Sequence, residues 1–187
     1  MTRWVFDDGG RAAAGFKGEA GDCGTRAIAV ATGLPYRQVY DAINLFAQGE
    51  RLRGDRQRSN ARTGVHKVTL DRFLSALGWN WTPTMAIGSG CRVHLCREEL
   101  PPGRLIVRVS KHITAVVDGL IRDTHDPSRL GTRCVYGYWH LEQASSTSPA
   151  SWVTSAAGVT TPPRSSPSSR PSPRRRQGAP STIGDRP

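Results

Sequence analysis

The sequence predicts an α+β domain, with helices first and an antiparallel sheet after them. Two observations carry that prediction. Between residues 23 and 77, apolar side chains recur at three- and four-residue spacing, the period of a helix face. From residue 103 onward the apolar runs are short, rich in Val, Ile and Thr, and separated by turn residues, as strands are. Helices grouped ahead of strands define this class, because alternation of the two would signal βαβ units instead.

Each element has its own local reason. Residues 1–22 read as a polar, Gly-rich lead-in, with Asp7 and Asp8 as turn formers beside Gly9 and Gly10. "CGTRAIAVAT" (23–32) is a short buried helix whose apolar surface only Arg26 interrupts; Gly33 supplies a left-handed stop, and Asp22 is placed to cap its start through the carboxylate. "LPYRQVYDAINLFAQ" (34–48) is an amphipathic helix with Pro35 in its first turn and Tyr36, Val39, Tyr40, Ile43 and Phe46 on one face. "TLDRFLSALGW" (69–79) is a third helix, with Thr69 as N-cap and Gly78 as stop. The strands are "GRLIVRVS" (103–110), "HITAVVD" (112–118), "LIRDTH" (120–125) and "CVYGYW" (134–139), and Asp118-Gly119 is a two-residue hairpin signal between the middle pair.

The domain is expected to end near residue 141 of the 187. Residues 142–187 are dominated by Ser, Pro, Arg and Thr and cannot bury enough surface to offset their ordering entropy, so they read as a disordered tail. The net charge of +11 is spread over both parts, with six Arg in the tail against Glu142 and Asp185. A second basic concentration, "ERLRGDRQRSNAR" (50–62), carries Arg51, Arg53, Arg56, Arg58 and Arg62. Such runs can gather phosphates, so a nucleic-acid partner stays open. No aromatic residues interleave to stack bases, and a solvated basic loop is the first reading of the run.

No N-terminal apolar stretch resembles a signal peptide, and no run approaches a membrane span. The expected setting is the cytoplasm, without membrane contact. Thiols stay reduced there, so Cys23, Cys91, Cys96 and Cys134 are all expected to be free. "CRVHLC" (91–96) has the look of half a zinc site, but no second close pair completes it, and neither metal nor cofactor is expected. Oligomeric state is not written in the sequence.

The candidate chemistry lies in three residues. Cys23 opens a helix, where unpaired N–H groups and the macrodipole stabilise a thiolate. With Asp118-Gly119 as the turn, Val117 pairs with Leu120, Thr114 with Asp123, and His112 with His125. Strand alternation then puts His112 and Asp123 on one face as diagonal neighbours. His112 could take the thiol proton and Asp123 could orient the ring; Asp126, ahead of Pro127, ranks second for that role. Trp79, Trp81 and the "YGYW" aromatics read as packing before groove lining. His66, His94 and His140 have no partner that the sequence names.

A nucleophile on an early helix, with base and orienter on later adjacent strands, is the chain order of papain-like cysteine hydrolases. "GDCGTRAIAV" resembles the nucleophile segment of the double-glycine leader peptidases of bacteriocin exporters, and more loosely that of papain. "HITAVVDG…IRDTHDP" is similar to their His strand and the Asp-bearing strand after it. The blocks "WVFDDGGRAAAGFKG", "GDC…RAIAVATGLPY", "LGWNWTPTM", "IGSGC", "KHITAVVDG" and "DTHDPSR…RCVYGYW" resemble a set of small uncharacterised bacterial and phage proteins over residues 4–139. The resemblance implies a papain-like fold and catalytic roles for Cys23, His112 and Asp123. It also implies a peptide, isopeptide or amide substrate, cut or transferred through a thioester. One departure stands out: Lys17 occupies the place of the usual oxyanion-hole Gln. The alternative expectation is therefore an inactive papain-like interaction protein of phage or prophage origin that engages a partner, nucleic acid included, through its basic loop and tail.

Overall fold

In the computed structural model, which describes residues 3–141 apart from 53, 55 and 87, helix α1 (Cys23–Thr32) begins and ends where the apolar run does. Gly33 closes it at φ 74°, and its N–H donates to the Ala29 carbonyl at 2.9 Å. The tail assigned to 142–187 lies outside the described residues, as does Arg53. Helix α2 (Tyr36–Gln48) starts directly after Pro35. Helix α3 (Lys67–Ala76) starts earlier than the sequence suggests, with His66 as its N-cap. Thr69 is not the cap: it is buried inside the helix, where its hydroxyl donates to the Glu50 carboxylate.

The strands are β1 (Arg3–Phe6), β2 (Trp79–Pro83), β3 (Arg104–Val109), β4 (His112–Val117), β5 (Leu120–Asp123) and β6 (Val135–Leu141). They form one sheet in the order β1-β5-β4-β3-β6-β2. The antiparallel expectation needs correction, because β1 adds to the β5 edge in parallel, pairing Arg3 with Leu120 and Phe6 with Asp123. The other pairs are antiparallel. The β4–β5 hairpin has the expected register, Val117 opposite Leu120. Asp118 and Gly119 both take positive φ (51° and 77°), as a two-residue hairpin turn matched to strand twist requires.

Strand alternation divides the core into two layers. Ile106, Ala115 and Trp139 face the helices and pack with Ile28, Ile43, Leu70 and Leu74. Leu105, Val107, Val116 and Ile121 face the other way and are covered by Leu95 and Leu100. Fully burying an aliphatic or aromatic side chain of this size contributes about 1.5–3 kcal/mol. Helix α1 packs chiefly on β4, which fixes its first residue over the start of that strand. Among the described residues, no helix is long and apolar enough to cross a membrane.

The segment over the second layer also corrects the cysteine expectation. Cys91 and Cys134 form a disulfide, with a Cα–Cα separation of 5.7 Å, while Cys23 and Cys96 are free. A bridge between His94 and Cys134, with Val135 N–H donating to Val93 O, lays residues 91–96 beside the start of β6. That pairing joins segments distant in the chain, which no spacing rule reveals. Cys91 is thereby committed, and the His94 imidazole meets Glu99 at 3.2 Å, so "CRVHLC" is no half zinc site. The basic run is partly structural as well. Arg58 donates to the Ala47 carbonyl at the end of α2, and Arg62 to Lys17 O.

Candidate active site

Cys23 opens α1 and lies on the wall of a cavity of about 490 Å³. The opposite walls are Thr63–Val65, ahead of α3, and the end of β3 with the start of β4. Close approach of these walls accounts for Gly21, while Gly24 sits at ordinary packing distance. A Cβ on Gly21 would sit 3.0 Å from the Thr63 carbonyl, and one on Gly24 would touch the Ile113 side chain at 3.6 Å. The first intrahelical bond runs from Arg26 N–H to Asp22 O. The N–H groups of Cys23 and Gly24 therefore have no acceptor within the helix.

The structure brings the three candidate residues together from three elements. His112 Nε2 meets Asp123 Oδ2 at 2.7 Å. The Cys23 thiol lines the same cavity as the His112 ring and Ile113, near enough for both to act on its proton equilibrium. With Nε2 held by Asp123, Nδ1 is the nitrogen left for sulfur. Burial alone would raise the Cys23 thiol. The His112 hydrogen bond and charge, the Ile113 N–H and the Arg26 guanidinium outweigh it, and the thiol falls below its ordinary value. Burial alone would lower His112, yet Asp123 and Cys23 push it up to about 9. Asp123 is lowered despite its burial, chiefly by His112 and also by the Thr124 N–H at 2.7 Å. All three shifts favour one charge arrangement: thiolate, imidazolium, carboxylate. Cys96 is the contrast, since burial and nearby Glu98 and Glu99 leave its thiol raised.

Behind the triad lies a charge network that sequence reasoning missed. Asp22 is buried, and it does not cap α1 as expected. Its carboxylate lies 2.8 Å from Arg11 Nε, receives Arg26 Nε at 3.0 Å and accepts the Tyr36 hydroxyl at 2.6 Å. Burial and that carboxylate raise the Tyr36 hydroxyl, so it stays a donor. Two guanidiniums thus balance the negative charge adjacent to Cys23. Arg26 also reaches Asp123 Oδ1 at 3.4 Å and bonds the Thr124 hydroxyl. It clamps the helix to the strand that carries the acid. The available signal was an arginine inside an otherwise apolar helix.

The secondary candidates take other places. Asp126 Oδ1 accepts the Ser128 N–H at 2.8 Å and is used in a turn. Lys17 is exposed and does not line the cavity. His66 meets Gln57 O at 2.8 Å, and His140 meets the Thr82 hydroxyl at 3.1 Å. Trp79 and Trp139 are core residues, while Trp81 is half-buried. The His125 ring packs on that of His112 at 4.8 Å between centroids. With Asp123 these two could offer three ligand atoms to a metal ion. An ion there would compete with the bond between His112 and Asp123. Comparison with known protein families, curated proteins and solved structures finds no match for this chain.

Proposed function

We propose that the protein is a papain-like thiol hydrolase or acyl transferase acting on a peptide, isopeptide or amide bond. Cys23 is the nucleophile, His112 the proton carrier and Asp123 its orienter. The observation that carries the reading is an imidazole bonded to the Asp123 carboxylate and lining one cavity with the Cys23 thiol. The Cys23 thiolate attacks the carbonyl carbon, a C–S bond forms, and the carbonyl electron pair moves onto oxygen. The Cys23 N–H at the helix start is the donor available to that oxyanion. Collapse expels the amine, which leaves with the proton from His112 and gives a thioester. Water or an acceptor amine then attacks, His112 takes its proton, and the thiolate leaves.

The test is a burst of p-nitrophenolate from p-nitrophenyl acetate. One equivalent is expected per active chain, lost in Cys23→Ser and kept in Cys96→Ser. No burst from folded protein, or a burst that survives Cys23→Ser, removes the enzyme reading.

A further inference from the structure

Two cations beside the thiol are left over once the ion pairs of the site are assigned. Arg26 is balanced by Asp22 and Asp123, and the His112 imidazolium by Asp123 and the Cys23 thiolate. Arg108 and Lys111 line the same cavity, and neither has a carboxylate partner among the described residues. Among the described residues, no Asp or Glu lines that cavity. Arg108 is half-buried on the helix-facing side of β3, the side of Ile106, and its guanidinium lies 5.9 Å from the Tyr136 ring centroid. Lys111 is the left-handed residue (φ 55°) directly before His112. A partly desolvated guanidinium without an anion is a cost that an incoming anion would offset.

Arg108 also walls a second cavity, of about 740 Å³, with Trp81, Pro83, Met85 and Tyr136. One guanidinium therefore stands at the junction between the thiol and an apolar shelf. Trp81 lies close over β6 because Gly137 has no side chain; a Cβ there would fall 2.3 Å from the indole. The indole packs on Trp139 at 4.4 Å, with the Lys67 ammonium 4.2 Å from its centroid. The acyl-transfer reading of Cys23 needs a carbonyl donor, which favours a peptide over a nucleic acid.

We infer that the acyl donor is a peptide with a carboxylate side chain close to the scissile bond, held by Arg108 and reinforced by Lys111. A neighbouring apolar residue lies on the shelf of Trp81 and Met85. This inference deepens the acyl-transfer reading of Cys23 and rests on it. The guanidinium fork matches a carboxylate with two parallel hydrogen bonds, and a cleft lined by one sign of charge draws the opposite sign in.

The test has two arms. In the first, the full chain is given a mixture of end-capped random peptides, and cut products are read by mass spectrometry. Asp and Glu should be enriched beside the cut bond. A matched Glu/Gln peptide pair should differ by about tenfold or more in kcat/KM. Arg108→Gln should erase that preference and Arg108→Lys restore part of it. In the second arm, immobilised Cys23→Ala protein should retain Glu-bearing peptides over their Gln counterparts and over polyuridylate. Cutting without acidic enrichment, or enrichment that survives Arg108→Gln, overturns the inference. So does equal retention of the Glu and Gln pools, or preferential retention of polyuridylate. Selective retention of Glu peptides without any cutting would uphold the anionic site and overturn the hydrolase reading instead.

Discussion

Replacing Asp123 with Asn keeps the shape of the side chain and one acceptor oxygen but removes the charge that His112 Nε2 meets at 2.7 Å. His112 stands at about 9 against an ordinary 6.5. At 1.36 kcal/mol per tenfold change in protonation, the site favours imidazolium by about 3 kcal/mol. Asp123 and the Cys23 thiolate share that effect, and the partial exposure of the ring lets water screen it. A discounted share of ~1.5 kcal/mol for Asp123 corresponds to roughly tenfold in the proton equilibrium. Thiolate and imidazolium support each other, so the Cys23 thiol should rise when the carboxylate is neutralised. The assay is the pH dependence of iodoacetamide labelling at Cys23, read by mass spectrometry, with Cys96 as internal reference. Wild-type Cys23 should reach half its maximal rate below the ordinary thiol value of 9.0, and Cys96 above it. In Asp123→Asn the Cys23 midpoint should move upward, with labelling near neutral pH lower by roughly tenfold. An unmoved midpoint would refute the electrostatic account. The same shift has a stability consequence: the His112 contribution is full below pH 6.5 and is lost as pH rises through about 9. Asp123→Asn should flatten that alkaline loss in thermal melts.

Removing the Cys91–Cys134 bridge, which spans 43 positions, should cost about 4 kcal/mol by loop-closure entropy, measured by urea melts of Cys91→Ala/Cys134→Ala. Gly137→Ala should destabilise by about 2 kcal/mol or more, because the new Cβ meets Trp81 ring carbons and the Thr82 carbonyl on a backbone at φ 152°. An unchanged melting temperature would show that β2 can shift aside. Arg26→Gln leaves Asp22 and Asp123 short of a buried partner and should cost about 3 kcal/mol, with slower Cys23 labelling even where the protein stays folded.

Local patterns were the legible part of the sequence. The bounds of α1 follow from an apolar run ending in Gly33, and the β4–β5 register follows from Asp118-Gly119; that register placed His112 beside Asp123. Two strands were not legible. Strand β1 is four residues long and exposed throughout, so it carries no alternation. Strand β2, "WNWTP", ends in proline and pairs with the distant β6. The disulfide and the Asp22–Arg26–Asp123 network fail for a shared reason, since each joins segments whose proximity exists only after folding. Arg108 is similar: within β3 it looks like one polar position, and only the assembled cleft shows that its charge has no carboxylate partner among the described residues.

The β4–β5 hairpin carries His112 and Asp123 11 positions apart, whereas Cys23 belongs to a helix far upstream. Contacts between near neighbours in the chain close early, and those spanning most of a domain close late. Before those distant segments meet, Cys23 has only the ordinary thiol value of 9.0. The lowered Cys23 thiol depends on His112, so that shift belongs to the chain in which β4 and β5 are packed on α1.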